Sequence, residues 1–218
     1  MRQDTAASFE PRKSPVQARS AATVEAIQEA TIQVLLNGGA ERLTTTRVAA
    51  RAGASVGTLY QYYPNKQALL FAVLERHLSN VSGAVEAACE HSRGKPLAQL
   101  AKHVVEAFVD AKMRRTDVSQ ALYLIAAGID GPALVRRASL RSRKAMETAM
   151  RSAPDAANAP EAFMVQIMFG AMAGATKSVL EAGASPAMVR KLRHHLVLLC
   201  QSYLEAGTHL TSPARQGP

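Results

Sequence analysis

Over no useful length of this chain do β-branched and aromatic residues alternate with polar ones, as a half-buried strand requires. Apolar residues return instead at spacings of three and four. Val24, Ile27, Ala30 and Val34 make the first such stripe, and that period puts them on one face of a helix. Stripes of this kind are buried by packing helix on helix, so the expected fold class is all-α. With 218 residues the chain can bury a sizeable core, in one or two domains.

Glycines, prolines and capping residues divide the pattern. Asn37-Gly38-Gly39 ends the first helix. Thr44 or Thr45 caps a second helix, over 45–52, which stops at Gly53. Ser55 caps a third, over 55–61, which stops before Pro64, and Asn65 caps a long fourth. A break at 91–96 is a candidate domain boundary. Helical patterns follow near 96–114, 118–128 and 132–152, then a loop at 153–160 and two apolar segments, 160–182 and 185–206. Residues 1–15 read as a flexible arm and 211–218 as a disordered tail.

Hydrophobic residues make up 48% and charged residues 20% of the chain, ordinary values for a globular protein. The net charge of +9 is spread along the sequence, so basicity alone points only weakly to a nucleic-acid or membrane partner. A local feature is sharper: no Asp or Glu occurs between Glu41 and Glu75. Cys89 and Cys200 make neither a disulfide framework nor a spaced metal site, which implies buried thiols in a reducing compartment. The N-terminal stretch lacks a signal-peptide core and no uninterrupted apolar run approaches a membrane span, so a soluble, cytoplasmic protein with no membrane partner is expected. His194 and His195 diverge by about 100° on a helix and share no ligand face. With no phosphate-binding loop, dinucleotide fingerprint or nucleophile elbow, no catalytic residue, metal or cofactor is assigned.

The acid-free stretch reads as a helix-turn-helix, whose second helix lies in the major groove while the first and the caps hold the backbone. Val48, Ala49, Ala52, Leu59 and Tyr60 pack the two helices together. Val56, Gly57, Thr58 and Gln61 face outward, with Val56 and the Thr58 methyl suited to thymine methyl groups and Gln61 to an adenine edge. Thr45 and Ser55 offer hydroxyls and helix N–H groups to phosphates, Tyr62 and Lys66 clamp a further phosphate, and Thr46 and Arg47 reach a phosphate or a base. Tyr60 completes the set of candidate DNA-binding residues.

The run from Ile27 to Phe71 resembles the DNA-binding domain of the TetR family of bacterial transcriptional regulators. Asn37-Gly38-Gly39, Thr44-Thr45-Thr46-Arg47-Val48-Ala49, Ala52-Gly53-Ala54-Ser55, Gly57-Thr58-Leu59-Tyr60, Tyr62-Tyr63-Pro64-Asn65-Lys66 and Ala68-Leu69-Leu70 carry the likeness. The chain departs from the family pattern at Tyr63, where Phe is common, and at Val56, where Lys or a polar residue is common. The resemblance implies an N-terminal three-helix DNA-binding domain over 16–77, with its motif at about 40–62. A C-terminal helical domain for effector binding and dimerisation would occupy 78–210. It also implies a homodimeric repressor on double-stranded operator DNA, released by a small-molecule effector. Rival readings are an all-α ligand-binding or enzymatic protein whose hairpin is only scaffold, and a DNA-binding activator.

In the C-terminal part, 160–182 is apolar around most of its circumference, and Gly170, Ala171, Ala173 and Gly174 permit close helix approach. Met188, Leu192, Leu196, Leu199 and Tyr203 form one stripe of the last segment. Two such helices from each of two subunits would build a four-helix dimer interface. Candidate lining for an apolar effector is His103, Phe108, Met113, Tyr123, Met146, Phe163 and Met168. Arg136, Arg137, Arg141, Arg143 and Lys144 read as a solvated basic helix face.

Overall fold

The structure is a computed structural model that describes residues 18–156 and 162–210. The arm at 1–15 and the tail at 211–218 lie outside those residues. Among the described residues there are nine α-helices, one short 3-10 turn and no strand: α1 Ala18–Arg42, α2 Thr45–Ala52, α3 Val56–Tyr62, α4 Lys66–His91, α5 Leu97–Met113, α6 Thr116–Ile125, the turn Ala126–Gly128, α7 Gly131–Arg151, α8 Ala162–Glu181 and α9 Pro186–Leu210. The chain is all-α.

Each boundary has a local cause. At Gly39, φ is 69° and ψ 178°, which breaks the helical path of α1 three residues before its last hydrogen-bonded turn ends at Arg42. Thr44, not Thr45, caps α2, its hydroxyl accepting from Arg47 N at 3.3 Å. Ser55 caps α3 through Thr58 N at 2.9 Å, and Asn65 Oδ1 accepts from Ala68 N at 2.8 Å to open α4. Gly53 closes α2 in the left-handed region, with φ 65° and ψ 27°. A Cβ there would meet nothing within 4 Å, so only backbone strain opposes a side chain. Gly53→Ala is therefore expected to cost about 1 kcal/mol in urea unfolding; a cost of several kcal/mol would mean that the turn has a steric constraint as well.

Two compact units divide the chain, one of residues up to Leu78 with Asp117–Leu134, the other of Ser79–Thr116 with the remainder from Val135. The division falls inside the uninterrupted α4, and it assigns α6 to the N-terminal unit. In the first unit Ile27, Leu35, Leu43, Val48, Leu59, Leu69 and Val73 are buried. Ser119 on α6 hydrogen-bonds His77 on α4 at 3.3 Å.

In the second unit one apolar core joins five helices through Val85, Leu100, Phe108, Met146, Met168 and Cys200, among others. The Phe108 and Phe169 rings meet edge-on at 5.6 Å. Antiparallel packing of α5 and α9 is pinned by Gln201 Nε2 donating to Ala98 O at 2.9 Å and by the Arg193–Asp110 ion pair. Both thiols are free and buried, and burial pushes each up to about 12. By length and composition α8 could cross a bilayer, although Gln166, Lys177 and Ser178 interrupt its apolar run. Val165, Met168, Met172 and Leu180 turn one face of it into the core, while Phe163 and Ile167 stay exposed on the other. A helix with apolar groups on both faces has two surfaces to cover.

Candidate nucleic-acid interface

The helix-turn-helix is held together by Val48 and Ala49 of α2 and Leu59 of α3, all at most 1% exposed. That packing leaves an outward surface made of Thr46, Arg47, Ser55, Gly57, Tyr60 and Gln61, all exposed, with Thr45, Val56, Thr58 and Tyr62 half-buried at its margin. On α3, Gly57, Tyr60 and Gln61 are three and four residues apart and so share one face. Neither α2 nor α3 has an acid in its first turn, which suits an anionic partner.

Tyr60 is not a packing residue. It is 41% exposed, and its hydroxyl lies 3.2 Å from Thr45 Oγ1. Leu59 takes the inward position beside it and is fully buried. Ser55 Oγ lies 2.8 Å from Thr58 Oγ1 as well as capping Thr58 N, so both hydroxyls are preset at the start of α3.

The cations do more than face solvent. Lys66 Nζ, half-buried, donates to Ala40 O at 2.5 Å; Arg47 Nη1 donates to Arg42 O at 3.1 Å; Arg51 Nε donates to Gln33 Oε1 at 2.6 Å. Each ties the C-terminal half of α1 to the helices that follow it. Lys66 thus serves first as a strut, and its ammonium retains two further donors.

Tyr63 does more than stand in for the Phe common at its position in the family pattern. The phenol is 1% exposed and its oxygen accepts from Gln28 Nε2 at 3.0 Å. Gln28 Oε1 accepts from Arg76 Nη1 at 3.1 Å, and Arg76 Nη2 pairs with Glu25 at 2.9 Å. Burial raises the pKa of the Tyr63 phenol, an effect partly offset by the Gln28 hydrogen bond. In the sequence this link shows only as Tyr at a position where the family pattern commonly has Phe.

The candidate effector residues occupy different environments. Phe108, Met146 and Met168 belong to the second unit's core, and Met113 packs against it. His103 Nδ1 lies 2.8 Å from Ser92 Oγ. Tyr123 sits on α6, in the other unit, and Phe163 is 65% exposed. Apolar periodicity marks a stripe without saying whether the stripe meets core, cavity or partner. A polar groove of 320 Å³ between α4 and α7 is lined by Glu86, Cys89, Glu90, Arg93, Arg141, Lys144, Ala145 and Thr148. There Arg141 is not simply solvated; it binds Glu86 through two nitrogens, at 3.1 and 2.8 Å. Arg143 donates to Gln166 Oε1 at 2.8 Å.

Comparison with known proteins bears on both units. Residues 27–73 match the bacterial regulatory proteins of the tetR family, and residues 96–204 match a tetracycline repressor-like C-terminal domain. The transcriptional repressor KstR of Mycobacterium tuberculosis is 38% identical over 60 residues, 28% of this chain and 27% of its own. The chain thus matches about a quarter of that curated relative's length. Among solved structures, a TetR-family transcriptional regulator from Mesorhizobium loti has a TM-score of 0.68 at 17% identity, covering 87% of this chain and 98% of its own. The regulator FadR from Bacillus subtilis, solved with stearoyl-CoA, has a TM-score of 0.65 at 14% identity, covering 82% and 98%. At such identities the likeness is one of fold.

Proposed function

The chain belongs to the TetR family of bacterial regulatory proteins, and we propose that it is a sequence-specific DNA-binding transcriptional repressor released from its operator by a small-molecule effector. The observation that carries this reading is the acid-free outward face of α2 and α3, with preset hydroxyls at Ser55 and Thr58. Laid in the major groove, α3 brings Gln61 and Val56 to base edges, while Thr45, Thr46, Arg47, Ser55, Tyr60, Tyr62 and the two remaining donors of Lys66 take phosphates. Gly57 lets the backbone approach closely. The stretch matching KstR, a repressor by name, supports repression over activation.

The protein acts in the cytoplasm as a homodimer through α8 and α9, on half-sites about one helical turn apart or more. Its effector is an apolar small molecule held in the second unit, whose core is rich in methionine and phenylalanine. The stearoyl chain of the ligand in the FadR complex supports an apolar part in that effector. By linkage, operator DNA weakens effector binding by the factor by which effector weakens operator binding.

Gel-shift titration with DNA upstream of the protein's own gene tests the reading. Arg47→Ala is expected to weaken binding to every duplex and lower the salt slope by about one, whereas Gln61→Ala should relax preference at one base pair by about 1–3 kcal/mol. Equal losses for Gln61→Ala on selected and random DNA would remove its base-reading role. Binding that is neither salt-sensitive nor sequence-selective would reduce the hairpin to scaffold.

A further inference from the structure

The hydroxyl of Tyr63 is not needed to fill space, since Phe occupies the same volume, yet it is 1% exposed and hydrogen-bonded. Burying it without a partner would cost its full desolvation. Tyr63 is the C-terminal cap of α3, its N–H closing on Leu59 O at 2.9 Å. The phenol therefore ties the last turn of α3 to Gln28 on α1. Gln28 is held in one orientation in turn. Its oxygen faces the Arg76 guanidinium of α4 and its nitrogen faces the phenol, and a flipped amide would set donor against donor at Arg76. Glu25 pairs with the far side of Arg76 and completes the chain.

We propose that this chain, ending in the Gln28–Tyr63 hydrogen bond, is a positioning device that fixes the aim of α3 and so sets the sequence selectivity of Val56 and Gln61. The inference rests on the DNA-binding reading above. The other attachments of α3 constrain it less. Leu59 contributes apolar burial, which is non-directional. Ser55 and Thr58 bond each other within the motif's own helix start, and the Thr45–Tyr60 contact is exposed to competing water. A buried hydrogen bond resists both rotation and slip, and base reading fails when a side chain is misplaced by about 1 Å.

Tyr63→Phe deletes the bond and keeps the ring. Two duplexes of equal length serve as probes, one selected from a random pool by the wild-type protein and one with that sequence shuffled. The variant is expected to lose about tenfold in affinity for the selected duplex and to bind the shuffled one as before. In the free protein, amide exchange at Leu59 and Tyr63 should quicken about tenfold while the α2 amides are unchanged. Glu25→Gln, at the exposed end of the chain, should move both readouts the same way by less. Unchanged selectivity with unchanged exchange would overturn the inference, and so would equal losses on both duplexes, which would report fewer folded molecules. A wild-type protein that does not discriminate the duplexes would refute the DNA-binding reading instead, leaving exchange to decide the anchoring.

Discussion

Phe163→Glu combined with Leu198→Glu is expected to yield a folded monomer whose affinity for a two-half-site operator is at least about 100-fold below wild type. Phe163, Ile167, Leu198 and Leu199 are 65%, 44%, 53% and 47% exposed, an apolar set on two adjacent helices of one unit. On α8, Phe163, Ile167, Gly170 and Gly174 follow one another at spacings of three and four, and both glycines are open, with nothing within 4 Å of the point where a Cβ would stand. A second helix can approach closely along that line. The α8–α9 hairpin turns at Gly183 and Ala184, with Ala184 N donating to Val179 O at 2.9 Å, and Met164 closes against Gly207 at its open end. By that register Phe163 lies at the open end of the hairpin and Leu198 nearer its middle. Exposed glutamates there cost the monomer little, since the replaced groups already meet water, whereas two of them across a two-fold axis face like charge and lose their burial. Linking two DNA heads multiplies affinity by about 10²–10⁴ without a new contact, and that factor disappears with the dimer. Sedimentation and anisotropy on one- and two-half-site duplexes read the two effects separately. A variant that stays dimeric, or a monomer that keeps full affinity, would place the pairing surface elsewhere.

What could be read from the sequence is what is decided within a few residues. Ser55 and Asn65 cap their helices three residues ahead, and Asn37-Gly38-Gly39 does break α1, because capping and left-handed geometry are local chemistry. What could not be read is decided across the fold. The N-terminus of α5 follows Pro96, which has no capping side chain, and is capped by both oxygens of Asp155, 58 residues away, at 2.9 and 3.1 Å. Lys66, Arg47 and Arg51 look like solvent-facing cations in sequence, yet each finds an acceptor on or beside α1. Helix α6 shows its stripe but not its partner, and it sorts with the N-terminal unit. In α8 the sequence shows apolar residues all round. Only packing distinguishes Met168, in the core, from Phe163, outside it. For the candidate site the motif and its outward residues were legible, while the Gln28–Tyr63 link between helices 35 residues apart was visible only as a departure from the family pattern.

Lys112→Met is expected to be more stable than wild type at pH 7, by a margin that shrinks by about 3 kcal/mol as pH approaches 10.5. Lys112 lies on the inward face of α5, 5% exposed, and desolvation lowers its pKa from 10.5 to about 8. At pH 7 the unfolded chain holds this proton more tightly than the folded one, so the charge penalises folding. Below pH 8 the penalty is fully present. Between pH 8 and 10.5 the folded lysine gives up its proton while the unfolded one keeps it, and the penalty is relieved. Methionine keeps the aliphatic stem in the core and removes the ammonium. Two other buried groups act oppositely in alkali: Cys89 and Cys200 stay protonated to about 12 when folded but ionise from 9.0 upward when unfolded, so stability falls above pH 9 in both proteins. The wild-type-to-variant difference cancels that term. Urea unfolding of the pair at half-unit intervals from pH 7 to 10 should show the difference shrinking steadily above pH 8. A gap that stays constant would mean that packing, not charge, separates the two side chains. No gap at pH 7 would mean that the fold offsets the cost of burying the ammonium.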